Sequence, residues 1–166
     1  MKELKLVVID SNYCDYLRKY DNKVPYNFEK KKNRPFVGVL FSVEKFMYFA
    51  PLSSPKPKHL KMNNTVDFLR IDSGRLGAIN FNNMIPVKSE CIQLIDLKKV
   101  TNNIKENNYL KLLKKQIYWL NRNKNRVYSN SIKLYNGYIN KTLNGKIQDR
   151  CCDFKLLENM CEMYLK

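Results

Sequence analysis

The densest group of side chains capable of chemistry lies in the segment APLSSPKPKH, at residues 50–59. Its reactive members are two serines, two lysines and the only histidine of the chain: Ser53, Ser54, Lys56, Lys58 and His59. Three prolines restrict the backbone around them, so the groups are held together at a small cost in conformational entropy. Because hydroxyl donors and cations suit the oxygens of a phosphate group, the segment predicts a phosphate-binding site. The alternative interpretation is a proline-rich surface turn.

A second basic group, KKKNR at residues 30–34, comes directly before an apolar stretch that starts at Phe36. The stretches Phe36–Val43 and Phe46–Leu52 are rich in apolar and aromatic residues, and two polar residues separate them, which predicts an antiparallel hairpin. In such a hairpin the start of the first strand lies beside the end of the second. We therefore expect Arg34 to lie close to the two serines, whereas the lysines before it are more typical of a solvated loop.

The first part of the chain predicts further strands. Short apolar stretches separated by turn residues favour a compact antiparallel sheet or a small barrel. Besides the hairpin, the expected strands are Leu4–Ile9, Phe68–Ile71, Leu76–Phe81, Met84–Val87 and Cys91–Ile95. One short helix is expected over Tyr13–Tyr20, where apolar residues recur at helical spacing, and residues 21–34 are expected to form a polar loop.

The second part of the chain predicts helices. Apolar stripes indicate helices over Tyr109–Leu120 and Val127–Leu143, with Gly145 ending the second, and Asp153 is the expected N-cap of a last helix. The fold class is therefore α+β, a barrel-like antiparallel sheet with C-terminal helices packed on it. We expect residues 1–166 to form one domain, with a β-rich core over about 1–96 and a helical extension over about 97–166.

The charge is strongly positive and unevenly distributed. The chain has 31 Lys and Arg against 15 Asp and Glu, which gives a formal net charge of +16. Residues 30–66 contain eight of these cations and one acid, and residues 97–150 contain thirteen cations and two acids. Two basic tracts indicate a polyanionic partner. A role in solubility alone is the alternative, but solubility does not require a charge this large.

Several classes of protein lack their sequence signature here. No GxxxxGK[ST], GxGxxG or HExxH motif occurs, and neither basic tract holds the carboxylates that a two-metal nuclease needs. Five cysteines without a CxxC pair predict neither a disulfide framework nor a zinc site. With no signal-like start and no apolar run of about 18 residues, they favour a reducing cytoplasm. We expect no metal, no cofactor and no membrane contact.

If this chain cleaves RNA, we expect it to do so without a metal ion. The ribose 2′-hydroxyl would attack the adjacent phosphate and leave a 2′,3′-cyclic phosphate. Arg34 and Lys56 would then stabilise the charge on the phosphate, and the two serines would donate hydrogen bonds to its oxygens. No residue is an obvious general base, because a lysine serves only if neighbouring cations lower its pKa.

Four segments occur in an order and at a spacing that are specific in combination. They are RPFVG at 34–38, YFAPLSSPK at 48–56, GAIN at 77–80 and NMIPV at 83–87. With Tyr16-Leu17, Asp21 and Val24-Pro25 upstream, this pattern resembles the ToxN/AbiQ family, the protein toxins of type III toxin–antitoxin systems. The resemblance runs from about residue 13 to 120.

The resemblance implies a fold, an activity and partners. The core would be similar to that of the Kid, MazF and CcdB toxins, and the activity would be that of a metal-independent endoribonuclease. The toxin would be inhibited by a small RNA pseudoknot that it cuts from a tandem-repeat transcript, in closed rings that typically hold three proteins and three RNAs. Its substrates would be cellular or phage transcripts, often cut at A-rich sites, with abortion of phage infection as the outcome.

The resemblance also implies residue roles. Ser53 and Ser54 match the family's hydroxyl pair, Lys56 its following lysine and Arg34 its basic residue before the strand, while Tyr26 is the nearest candidate for a family tyrosine. The residues expected to bind RNA are Lys31, Lys32, Lys58, His59, Lys61, Asn80, Lys111, Lys114 and Lys115. The main alternative function is a non-catalytic RNA-binding module. A DNA-binding regulator is a further alternative, but no helix-turn-helix pattern is present.

Overall fold

Over residues 2–26 and 34–166, which this computed structural model describes, most strands precede the long helices. The strands are β1 (Lys5–Ile9), β2 (Phe36–Gly38), β3 (Ser42–Val43), β4 (Phe46–Ser53), β5 (Phe68–Arg70), β6 (Ala78–Asn80), β7 (Ile85–Val87) and β8 (Ile92–Leu94). The α-helices are α1 (Ser11–Arg18), α2 (Pro57–Lys61), α3 (Ile104–Arg122), α4 (Lys124–Ile139), α5 (Gly145–Arg150) and α6 (Phe154–Met163). The predicted strands are confirmed, whereas α2 and α5 were not predicted.

The strands form one antiparallel sheet in the order β5-β6-β4-β2-β1-β8, with β3 and β7 paired to the first half of β4. The α+β class and the C-terminal helices are confirmed. Within the described residues the sheet ends at β5 on one side and at β8 on the other, so the predicted barrel-like closure is wrong. Closure depends on strand tilt and stagger, which local apolar patterns do not encode. The similarity to Kid, MazF and CcdB stays a prediction.

The predicted hairpin is present, but its first strand is divided into β2 and β3. The register changes from Val37↔Ala50 to Ser42↔Met47, so the first strand has two more residues than β4 between these pairs. Extra residues of this kind form a bulge that bends a strand and interrupts its pairing. The turn itself lies where it was expected, because Val43 pairs with Phe46.

Strands and helices share one continuous core of buried apolar residues. Helix α6 adds a polar anchor to this core, because the buried Glu158 carboxylate accepts hydrogen bonds from the Tyr48 hydroxyl at 2.9 Å and the Tyr135 hydroxyl at 2.7 Å. Lys155 pairs with the other oxygen of Glu158 at 2.8 Å. Burial and the neighbouring Glu158 raise the pKa of Tyr48, so this phenol stays protonated and donates. The last helix is thereby fixed to the central strand β4.

The helix boundaries correct one prediction and confirm another. Helix α4 ends at Ile139 rather than at Leu143, and Gly145 is the first residue of α5 instead of the end of α4. The Asn144 side chain accepts a hydrogen bond from the Lys146 amide at 2.9 Å, so a polar N-cap starts α5 where a glycine suggested an end. Asp153 caps α6 as predicted, accepting from the Leu156 amide at 3.1 Å.

Candidate active site

The two serine hydroxyls lie at the end of the central strand and differ in their surroundings. Ser53 is the last residue of β4, and its Oγ accepts a hydrogen bond from Asn80 Nδ2, on β6, at 2.9 Å. Ser54 follows directly and is exposed. The backbone of Gly77 approaches so closely that a Cβ there would lie 2.0 Å from the Ser53 carbonyl oxygen, at a φ of +102°. Only glycine therefore allows this packing behind the two serines.

Arg34 lies two residues before β2, the strand that pairs with the end of β4. Phe36 pairs with Pro51, and the Leu52 amide donates to the Pro35 carbonyl at 2.9 Å. Continuing this register by one residue places Arg34 opposite Ser53. Burial lowers the pKa of Arg34, the nearby Cys14 opposes this shift and Arg18 adds to it. Arginine stays charged under such a shift, so the site contains a partly desolvated cation.

Arg18, on α1, contacts the segment that holds the candidate tyrosine. Its guanidinium lies 4.4 Å from the centroid of the Tyr26 ring and donates to the backbone carbonyls of Val24 at 3.2 Å and Pro25 at 2.6 Å. Arg18 therefore holds the segment that carries Tyr26. The sequence prediction missed Arg18, although its position in the last turn of a predicted helix was a usable signal. The role of Tyr26 in catalysis stays a prediction.

The proline-rich segment continues into a short helix rather than an extended loop. Pro57 occupies the first turn of α2, where its missing amide hydrogen is not needed. Lys56 and Lys58 are exposed beside the serines, and Lys61 is exposed at the end of the helix. These three cations lie on the surface, as a contact with RNA requires.

His59 does not lie on the surface where an RNA contact was expected. It is 2% exposed, and its ring lies 6.0 Å from the Phe68 ring, measured between centroids. Burial, and then the charges of Lys56 and Lys58, lower the pKa of His59, so the imidazole is neutral. The reason is the five-residue helix, which turns one side chain inward while the lysines around it face solvent. His59 therefore supports α2 from below.

The other expected RNA-binding residues fall into three groups. Lys31 and Lys32 lie outside the described residues. The Asn80 amide donates a hydrogen bond to Ser53, and its role in RNA binding stays a prediction. Lys111, Lys114 and Lys115 are exposed on α3, whose opposite face is buried. This helix reaches the site, because Gln116 Nε2 donates to the carbonyl of Leu76, next to Gly77, at 2.7 Å.

Two features are absent from residues 2–26 and 34–166. No group of three or more His, Cys, Asp or Glu side chains in these ranges lies close enough together to hold a metal ion. No helix there is both long enough and apolar enough to cross a membrane. All five cysteines lie in these ranges, and they are buried and unbridged.

Serine hydroxyls and the Asn80 amide at adjoining strand ends form the candidate site of this α+β protein. Residues 5–162 match the family model of the toxin ToxN of type III toxin–antitoxin systems, and the chain belongs to this family. It is 35% identical to the endoribonuclease ToxN of Bacillus thuringiensis, covering 96% of this chain and 84% of the relative. It is 31% identical to the endoribonuclease AbiQ of Lactococcus lactis, covering 98% and 90%.

Solved structures agree with this assignment. The fold is similar to that of a type III toxin described as selectively inhibited by a non-coding RNA pseudoknot, with a TM-score of 0.82, 32% identity and 98% coverage of both chains. It is also similar to AbiQ, described as a lactococcal anti-phage endoribonuclease, with a TM-score of 0.82, 27% identity and 98% coverage of both chains. The family predicted from the motifs is therefore confirmed.

Proposed function

We propose that this chain is an endoribonuclease toxin that cleaves RNA without a metal ion. The observation that supports the proposal is the hydrogen bond between Leu52 and Pro35, which extends the pairing of β2 and β4 to the residues next to Arg34 and Ser53. The relatives named as endoribonucleases support the same activity. The substrates we propose are cellular and phage transcripts, which places the activity in the cytoplasm, and we treat residues 1–166 as one domain.

The reaction we propose is transesterification at one phosphodiester. The ribose 2′-oxygen bonds to phosphorus, the bond from phosphorus to the 5′-oxygen breaks, and the proton of the 2′-hydroxyl ends on the leaving oxygen. Arg34 and Lys56 stabilise the additional negative charge on the phosphate. Asn80 donates to the oxygen of Ser53, which leaves the Ser53 proton available for a phosphate oxygen. Ser54 supplies the second hydroxyl donor.

The inhibitor we propose is a folded RNA, a pseudoknot derived from a repeat transcript that the toxin itself processes. The relative inhibited by a non-coding RNA pseudoknot supports this partner. The exposed lysines of α3 supply positive charge away from the serines, as binding of a folded RNA requires. We propose closed assemblies of three proteins and three RNAs.

Incubation of the purified chain with A-rich RNA in EDTA tests the activity. We expect cleavage products that end in a 2′,3′-cyclic phosphate, identified by mass and by resistance to phosphatase until the ends are opened with acid. Cleavage that requires added Mg²⁺ would overturn the metal-independent mechanism. RNA that is bound but left intact would instead favour a non-catalytic RNA-binding module.

A further inference from the structure

Arg70 lies in the same cross-strand row as the serine site, on the side away from Arg34. In the register of β5, β6 and β4, Arg70 pairs with Ala78, and Ala78 pairs with Ser53. Directly paired residues point to the same face of a sheet. The row therefore contains Arg70, the methyl group of Ala78 and the hydroxyl of Ser53. Extending the register of β2 with β4 adds Arg34 beyond Ser53.

The residue between Arg70 and Ser53 in this row is Ala78, which has a small side chain and is fully buried. Adjacent strands lie about 4.8 Å apart, so the backbones of these two residues are about 10 Å apart. A long arginine side chain covers much of that distance, and Ala78 carries no group that would block it. A nucleic acid backbone on this face would meet one guanidinium on each side of Ser53.

The Arg70 guanidinium is only partly used by the protein. One terminal nitrogen donates to the Leu60 carbonyl at 3.1 Å, while Nε is buried without a hydrogen-bond partner. None of the ion pairs formed within residues 2–26 and 34–166 includes Arg70. Two other arginines are paired, since Arg75 lies 2.8 Å from Asp72 and Arg150 lies 2.9 Å from Asp67. The second terminal nitrogen of Arg70 forms no hydrogen bond with the described residues, so this donor remains for an external anion, whereas the buried Nε does not.

We infer that Arg70 binds a backbone phosphate of the RNA next to the scissile one, on the far side of Ser53 from Arg34. The inference rests on the proposed function and adds to it a direction for the bound strand, from β2 across β4 to β5. The contact is made by the planar guanidinium, which presents two parallel donors to one phosphate. The tether to Leu60, on α2, holds the arginine in position for it.

The test uses an A-rich oligonucleotide with 2′-O-methyl groups throughout, which can bind but has no 2′-hydroxyl to react. Affinity is measured over a range of salt concentrations for the wild-type chain, R70Q, R70K and R75Q. Loss of one phosphate contact to a single strand reduces the slope of log K against log salt by about 0.7. We expect this reduction for R70Q, with binding weakened by about tenfold or more at low salt.

The control and the conservative variant decide the interpretation. R75Q should match the wild-type slope, because Asp72 already occupies its guanidinium. R70K should keep the slope and bind more weakly than wild type, since a lysine preserves the charge but not the paired donors. If the slope of log K against log salt is the same for R70Q as for R75Q, the inference is overturned, whatever the thermal stability of R70Q. Should R70Q fail to fold, wild-type affinity in R70K would overturn it.

The outcome is separate from that of the proposed activity. Cleavage of unmodified RNA by the wild-type chain tests the endoribonuclease, and the slope difference on the methylated probe tests Arg70. If the wild-type chain cleaves RNA and the R70Q slope is unchanged, the proposed function stands and the inferred Arg70 contact is refuted. If the wild-type chain binds RNA without cleaving it and R70Q shows the reduced slope, the inferred contact stands and the proposed activity is refuted.

Discussion

At the scale of single residues, the two adjacent serines have different tasks. Ser53 is held by Asn80 and by the strand that ends with it, so its hydroxyl has a fixed direction. Ser54 is exposed and its backbone is supported by Gly77, so its hydroxyl is open to a bound phosphate. We therefore expect Ser54 to contribute mainly to the transition state.

Replacement of Ser54 by alanine should abolish cleavage while RNA binding survives. Loss of one donor to a developing oxyanion costs about a hundredfold or more in rate, whereas a single neutral hydrogen bond adds little to the binding of a long polyanion. The measurements are single-turnover cleavage of A-rich RNA, growth arrest on expression, and affinity for the same RNA. Ser42→Ala, at an exposed serine on β3, is the control. Wild-type cleavage by the Ser54 variant would remove this residue from the mechanism.

The sequence sufficed to predict the hairpin that connects Arg34 with the serines but not to find Arg70. The first proximity needs only one hairpin, whose strands are adjacent in sequence and whose turn lies between two apolar stretches. The second needs the pairing of β4 with β6 and of β6 with β5, which no local pattern specifies. A charged residue inside the apolar stretch Phe68–Ile71 was the available signal.

At the scale of elements, the short helix α2 depends on a buried imidazole. His59 packs against Phe68 and its carbonyl lies against Gly74, so this side chain joins the helix to the strands below it. The sequence did not predict this arrangement, because five residues are too few to show a helical repeat. This packing costs free energy at low pH, because the His59 imidazole is kept neutral by burial and by the nearby Lys56 and Lys58.

Stability should fall as the pH is lowered through the range in which the unfolded chain takes up a proton at His59. Burial, with Lys56 and Lys58, lowers the pKa of His59 in the folded state, whereas in the unfolded chain it is about 6.5. Below about 6.5 the unfolded chain binds more protons, so the free energy of unfolding decreases until the folded-state pKa is reached. Urea unfolding between pH 7.5 and 5 measures this.

The chain has no other histidine, which makes the assignment direct. His59→Gln should show a flatter pH dependence between 7.5 and 5 than the wild-type chain, even if its overall stability is lower. An equal slope in the two proteins would show that His59 is protonated to the same degree in both states.

At the scale of the whole molecule, positive charge extends from the serine site along α3. The contact between Gln116 and Leu76 fixes this helix beside the site, while its lysines face solvent. The sequence predicted the basic tract and the helix, because both are local properties. It did not predict that the sheet stays open, which depends on how all the strands twist and stagger together.

Neutralising Lys111, Lys114 and Lys115 with glutamine should weaken binding of a folded RNA more than cleavage of a short one. Each lost contact reduces the salt slope by about 0.7 to 0.9, so the full set would reduce it by about 2. A short RNA that occupies only the serine site should be cleaved at the wild-type rate. The measurements are salt-dependent affinity for a repeat-derived pseudoknot and cleavage of an oligonucleotide. The control is glutamine at Lys2, Lys5 and Lys45, which are exposed elsewhere.

Mutations that remove the Glu158 carboxylate should inactivate this toxin. A premature stop codon before residue 154 would delete α6 and leave the phenols of Tyr48 and Tyr135 without their acceptor, at about 1–3 kcal/mol for each buried group. Tyr48 belongs to the strand that ends at Ser53, so loss of α6 would disturb the strand that carries the candidate site. Bacteria selected to survive without the antitoxin should carry nonsense and frameshift lesions that remove Glu158 as readily as substitutions at the serines.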